Sequence, residues 1–162
     1  MMLRAFGLTA IALMFAVPIT LIAKGDTVRV TITGGDLAKA IEITDEVWLA
    51  KLNVWSGPGT GANEPQSLNV DWSQGKVDPP HNVPVYIVSF ETTRRNPGTY
   101  VVRYAIDPST KRGYVYFPGR ADPEYRDNTW LIYRGVEGNW FRASNEWEKF
   151  THRLIEDARK AR

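Results

Sequence analysis

TYVVRYAI, residues 99–106, sets Tyr100, Val102, Tyr104 and Ile106 on one side of an extended chain and Val101, Arg103 and Ala105 on the other. Side chains alternate with period two along a strand, so this stretch reads as β structure with two largely apolar faces. Its neighbours repeat the pattern. VPVYIVSFET (83–92), GYVYFPG (113–119) and NTWLIYRG (128–135) are all rich in β-branched and aromatic residues. Asn96-Pro97-Gly98 and Asp107-Pro108-Ser109 supply turns between them. Such runs predict an antiparallel meander, and two apolar faces predict a sheet covered on each side.

Upstream, TVRVTIT (27–33) alternates Val28, Val30 and Ile32 with threonine and Arg29. Gly34-Gly35-Asp36 then turns the chain toward KAIEIT (39–44), a second strand and hairpin partner. DEVWLAKL (45–52) reads as a short helix capped by Thr44 or Asp45, with Trp48 and Leu52 on one face. Residues 53–84 are rich in glycine and proline and irregular, interrupted by a short strand in SLNVDW (67–72). At the other end, Asn145 and Glu148 form an N-x-x-E pattern that opens a helix. Trp147, Phe150, Leu154, Ile155 and Ala158 make its apolar stripe. The expected class is α+β: an antiparallel sheet of about five to seven strands, a short helix after the first hairpin and an amphipathic C-terminal helix packed on the sheet.

Residues 1–23 stand apart. A short basic start at Arg4 is followed by an uncharged run from Ala5 to Ala23, the layout of an export signal, or of an N-terminal anchor if it stays uncut. Residues 24–162 then form a single domain, periplasmic or extracellular, touching the membrane only through an uncut anchor. The chain has no cysteine, which excludes thiol catalysis and thiolate metal sites. Without residues 1–23 its charge is nearly balanced, with 19 Lys and Arg against 18 Asp and Glu, which gives no reason to expect nucleic acid as a partner. The halves differ: residues 24–91 carry 5 basic and 9 acidic side chains, residues 92–162 carry 14 and 9. Either the halves pair their charges, or the second half offers a basic face to an anionic envelope polymer or lipid surface.

SGPGTGANE (56–64) invites comparison with a phosphate-binding loop, but Ala62 and Asn63 stand where the motif needs lysine and a hydroxyl residue, and Pro65 follows. It lies between Trp55 and Trp72. Trp55, Asn63, Glu64, Asp71 and Trp72 therefore have two readings: aromatic plugs and turn caps at the edge of the core, or a ligand-binding edge for an envelope saccharide or peptide. Glu64 with Asp71, or Glu42 with Glu91, would serve a glycoside hydrolase if each pair faced across a cleft at the required separation. His81 and His152 have no serine-hydrolase motif beside them. ADPEYRDN (121–128) gathers Asp122, Glu124, Asp127 and Asn128, yet Arg120 and Arg126 lie within reach and the spacing is not that of a calcium loop. A solvated turn with local ion pairs is expected, and no metal or other cofactor. RGVEGNWFRASNEW (134–147) reads as a strand end and turn leading into the last helix, with Trp140 and Phe141 on opposite sides; the alternative makes Arg134 and Arg142 an anion clamp.

Three of these stretches, ITGGDLAKAIEITD (32–45), NVWSGPGT (53–60) and RGVEGNWFRAS (134–144), resemble a family of small exported bacterial proteins of unknown function. The resemblance spans most of residues 27–147 and departs at Ala40, where the family often has proline. It implies export and one intact domain, and brings no catalytic residue, cofactor or substrate. The function expected is a non-enzymatic envelope module that binds a ligand or partner through the loop between Trp55 and Trp72. The alternatives are a secreted saccharide hydrolase using paired carboxylates, and a purely structural interaction protein.

Overall fold

In the computed structural model the described residues are 27–49, 70–92, 98–128 and 135–160. They form an α+β domain built on one antiparallel sheet of seven strands. In chain order these are β1 (Thr27–Gly34), β2 (Ile41–Ile43), β3 (Lys76–Val77), β4 (Val85–Thr92), β5 (Gly98–Ile106), β6 (Gly113–Phe117) and β7 (Asn139–Arg142). Across the sheet they run β2-β1-β4-β5-β6-β7-β3. The helices are α1 (Glu46–Leu49) and α2 (Asn145–Lys160).

The alternation of β5 propagates through the register. Val88 faces Val102, Phe90 faces Tyr100 and Tyr86 faces Tyr104 on β4 and β5, and Val30 and Ile32 on β1 continue the same rows. Val115 and Phe141 extend them toward β7. Together with Ile43, Ile106 and Phe117 these residues make one apolar core, and α2 inserts Trp147 and Ile155 into it. Trp147 is 1% exposed and meets Tyr104 edge-on with ring centroids 5.9 Å apart. The opposite row on β5 holds Val101, Arg103 and Ala105, paired with Ser89, Ile87 and Val85 of β4. Among the described residues no helix roofs that second face. The chain after β6 folds back over it, so the expected two-sided cover comes from unlike materials.

The hairpin of β1 and β2 turns at Gly34 and Gly35, with φ of +79° and +57°. These values suit glycine, and at Gly35 the Tyr86 ring leaves no room for a Cβ. β2 is shorter than the sequence suggests, beginning at Ile41. Asp45 caps α1, its Oδ1 accepting from the N–H groups of Val47 and Trp48. Trp48 stacks on Phe150 at 4.5 Å; Leu52, its expected partner, lies outside the described residues.

The start of α2 differs from expectation. Ser144, not Asn145, is the cap: its Oγ accepts from Trp147 N–H at 3.2 Å. Glu148 is thereby free of capping and accepts from Gly113 N–H at 2.8 Å, tying the helix to β6. At the far end Arg159 donates to Asp36 and to the Tyr86 hydroxyl, and Tyr86 donates to Asp36 at 2.7 Å. Burial, then the hydrogen bond to Asp36, pushes the Tyr86 hydroxyl up to about 12. The Asp107 turn is as the sequence indicates: Ser109 first, then Thr110, donates to its carboxylate and holds it down at about 2.

Of the strand expected at 128–135, residues 129–134 lie outside the described residues. β7 forms within the stretch 134–147 that reads in sequence as a strand end and turn, and β3 is an addition to the predicted strands. Val70, in the short strand expected at 67–72, makes an isolated bridge to Ala143, and Lys76 and Val77 then pair with Phe141 and Trp140. Trp140 and Phe141 take opposite faces, as a strand requires.

Replacing Trp147 with alanine removes the largest side chain shared by helix and sheet and is expected to cost about 3–5 kcal/mol. Trp48→Ala, at a ring 38% exposed, is expected to cost under about 2 kcal/mol. Urea unfolding followed by circular dichroism compares the two, and equal losses would contradict this placement of the core.

Candidate functional site

Arg103 is the one charged side chain on β5 within an otherwise apolar run, and an isolated guanidinium over a sheet needs anions nearby. They come from the segment after β6. A short 3-10 turn, Pro123–Arg126, follows Asp122 and carries Glu124 back over β5. Arg103 Nη2 donates to Asp122 Oδ1 at 2.9 Å and to Glu124 Oε2 at 2.6 Å, while Nε donates to Glu124 Oε1 at 3.1 Å. The second Asp122 oxygen accepts from the Tyr116 hydroxyl and from Gly119 N–H, each at 2.7 Å. The guanidinium also lies 5.3 Å from the centre of the Tyr116 ring.

These contacts fix the protonation states. Burial pushes the Asp122 carboxyl up, but Tyr116, Gly119 and Arg103 together outweigh it and hold it below the usual carboxylate range. The hydrogen bond from Arg103 does the same for Glu124 against a smaller cost of burial. Burial, then the bond to Asp122, raises the Tyr116 hydroxyl. Asn128 completes the fold-back. Its side-chain amide accepts from Val101 N–H at 2.7 Å and donates to Val101 C=O at 2.8 Å, satisfying the β5 backbone beyond the last residue paired with β6.

The fold-back leaves an open cleft of about 750 Å³ against the turn that precedes β7. Tyr116, Asp122 and Tyr125 line one side, Glu137 and Gly138 the other, and Arg120 stands at the rim. Gly119 and Gly138 meet back to back, where a Cβ on Gly119 would come within 2.9 Å of Gly138 Cα. The volume is that of a small-molecule site. Trp140, next along β7, packs on Tyr116 with centroids 5.0 Å apart.

The residues singled out in the sequence fall elsewhere. Trp55, Asn63, Glu64 and Arg134 lie outside the described residues. Trp72 stacks on Phe117 at 5.8 Å and meets Phe141 edge-on at 5.1 Å, packed against the core. Asp71 accepts from Ser73 N–H and Oγ–H and so caps the short turn at Trp72–Gln74. Arg142 lies over the Tyr114 ring at 4.7 Å, on the same face as Trp140. Glu42 and Glu91 are placed on β2 and β4 with β1 between them, and Glu91 pairs with Arg29 at 3.7 Å. His81 is exposed. His152 is half-buried on α2, its pKa lowered by burial. Among the described residues no three of His, Asp and Glu are grouped to hold a metal, and no helix is long and apolar enough to cross a membrane.

Asp122 and Glu124 were legible as an ion-paired turn, but the cation is Arg103, not the adjacent Arg120 or Arg126. The available signal was Arg103 itself, a lone charge in an apolar strand. No protein-family model, curated protein or solved structure matches the chain.

Arg103, Asp122 and Glu124 have side chains 26%, 18% and 16% exposed, so their coupling is only partly screened. Arg103→Gln is expected to cost about 2–4 kcal/mol at pH 7, because it leaves two half-buried carboxylates without a cation. The sign with pH follows from the lowered carboxyl pKa values. Their stabilisation is complete above the unfolded values of about 4 and is lost as pH falls through the lower folded values. Urea midpoints measured from pH 7 to 2.5 should converge for the two proteins on acidification; a constant gap would contradict the assignment.

Proposed function

We propose that this protein is an exported, non-enzymatic domain that binds an envelope saccharide or peptide in the cleft between residues 116–125 and residues 135–138. Export follows from the basic start and uncharged run of residues 1–23. The observation that carries the binding role is the state of Asp122 in the cleft wall and of Glu124 next to it in the Arg103 network. Every oxygen of Asp122 and Glu124 already accepts from Arg103, Tyr116 or Gly119. Such groups hold a shape. A hydrolase acting through paired carboxylates needs one of them protonated near neutral pH, and here both are held below the usual range. What the cleft leaves for a ligand is the aromatic side chains of Tyr116 and Tyr125, the Glu137 carboxylate and the Arg120 guanidinium. Aromatic faces with a few polar groups are the usual equipment of a binding pocket.

Native mass spectrometry of untagged protein drawn from its own cell envelope tests this reading. The wild type should begin at Lys24 and carry an added mass. Tyr125→Ala, which alters the cleft wall without touching the Arg103 network, should lose that mass and keep its melting temperature. Wild-type protein recovered bare, or an adduct equally retained by the variant, would overturn the proposal.

A further inference from the structure

The charges of this face are layered. The negative ones nearest the sheet are saturated by Arg103, Tyr116 and Gly119, whereas Arg120 and Arg142 have no carboxylate within ion-pairing distance among the described residues; Arg29, Arg153 and Arg159 have one each and Arg103 has two. Arg120 is exposed at the rim of the cleft. Arg142 lies over the Tyr114 ring at 4.7 Å, a contact that leaves its forked N–H donors to other partners. The register places Arg142 and Trp140 on one face of β7, Arg142 opposite Tyr114 and Trp140 opposite Tyr116. Tyr116 in turn lines the cleft together with Arg120 and Gly138, so Trp140 lies between Arg142 and the cleft. The result is a track with a cation at each end, a half-exposed indole between them and a cleft under one end.

Resting on the cleft reading given above, we infer that the ligand is an anionic saccharide chain lying along β7, its acid groups held by Arg120 and Arg142 and a sugar ring seated on Trp140. A pyranose packs its C–H face on an aromatic ring, which suits Trp140. Carboxylate or sulfate groups on the sugars match the forked donors of arginine. Glu137 separates this ligand from a polyphosphate. Its Oε2 accepts from Gly135 N–H, leaving Oε1 as an acceptor in the cleft. A sugar has a hydroxyl to donate there; a phosphodiester backbone places charge against charge. The balance of 19 basic and 18 acidic residues beyond residue 23 likewise supplies no field for nucleic acid. Residues 92–162, which contain the whole track, carry the basic excess of the chain, 14 against 9.

Calorimetric titration with tetragalacturonate, its fully methyl-esterified form, a sulfated heparin tetrasaccharide and a single-stranded DNA tetranucleotide tests the inference. At least one of the two acidic saccharides should bind, and the neutral ester should bind at least about tenfold more weakly than the free acid. Arg120→Gln and Arg142→Gln should each weaken the bound acidic saccharide about tenfold, as loss of one charged hydrogen-bonding group implies, and Trp140→Ala should do likewise. Arg153→Gln, on the exposed side of α2, should change nothing. Circular dichroism establishes that each variant is folded, and Arg142→Lys replaces Arg142→Gln if the latter is not. Equal binding of ester and acid, abolished by Tyr125→Ala, would overturn the anionic ligand and leave the cleft reading intact. Failure of both acidic saccharides, or DNA bound as tightly as either, would overturn this inference, while the envelope adduct judges the cleft reading separately.

Discussion

Arg103 places a full positive charge over the middle of the sheet, and the chain after β6 takes its path because that charge must be answered. A guanidinium a quarter exposed cannot rely on water alone. One carboxylate would neutralise it, but a planar fork with five donors accommodates two. Asp122 and Glu124 would repel each other in the same position without it. The three groups therefore form a unit in which each member justifies the burial of the others. Asn128 then extends the sheet's hydrogen bonding with a side-chain amide, beyond the last β5 residue paired with β6. In this way the second face of the sheet gains a roof made of hydrogen bonds and ion pairs.

The first face is solved by apolar packing. A single helix of 16 residues spans about 24 Å and covers one side of the central strands. Its position is over-determined: Trp147 and Ile155 anchor the middle in the core, Glu148 binds the Gly113 N–H near one end, and Arg159 binds Asp36 and Tyr86 at the other. Glu148 and Arg159 would ordinarily be assigned to helix capping and the helix dipole. Both instead spend their charge on the sheet, which sets the angle of the helix as well as its depth.

Much of this was legible in sequence wherever periodicity decided the matter. The alternation in residues 83–92 and 99–106 gave strands and faces, and the apolar stripe beginning at Trp147 gave the helix; the turn expected at Asn96-Pro97-Gly98 falls mostly outside the described residues. What periodicity does not reach is pairing over distance. Arg120 and Arg126 are the obvious partners for Asp122 and Glu124 by proximity in sequence, yet the partner is Arg103, brought close only because β5 and β6 are neighbours. β3 is two residues long and exists because β7 offers it an edge, so no local pattern could announce it. The same holds for the cleft: Tyr116, Gly119, Tyr125 and Gly138 are unremarkable until the fold-back sets them face to face. Asp71 and Trp72 show the converse, conspicuous in sequence and engaged here in a turn and in the core.

The division of labour between acids and bases on this face follows from where each sits. Arg103, Arg120 and Arg142 are balanced by Asp122, Glu124 and Glu137, so the local charge count alone is not the basis of the selectivity inferred above. Position is. Charges near the sheet interact strongly because little water screens them, and they are already matched to each other. Arg120 and Arg142 have no carboxylate partner among the described residues, and on the binding mode inferred above they gain only when a ligand brings both a counter-charge and the apolar surface to displace water around Trp140. A small free anion supplies the first without the second and is held poorly. On the binding mode inferred above, an acidic polymer with a ring between its charges supplies both, its ring on Trp140 between Arg142 on β7 and Arg120 at the cleft.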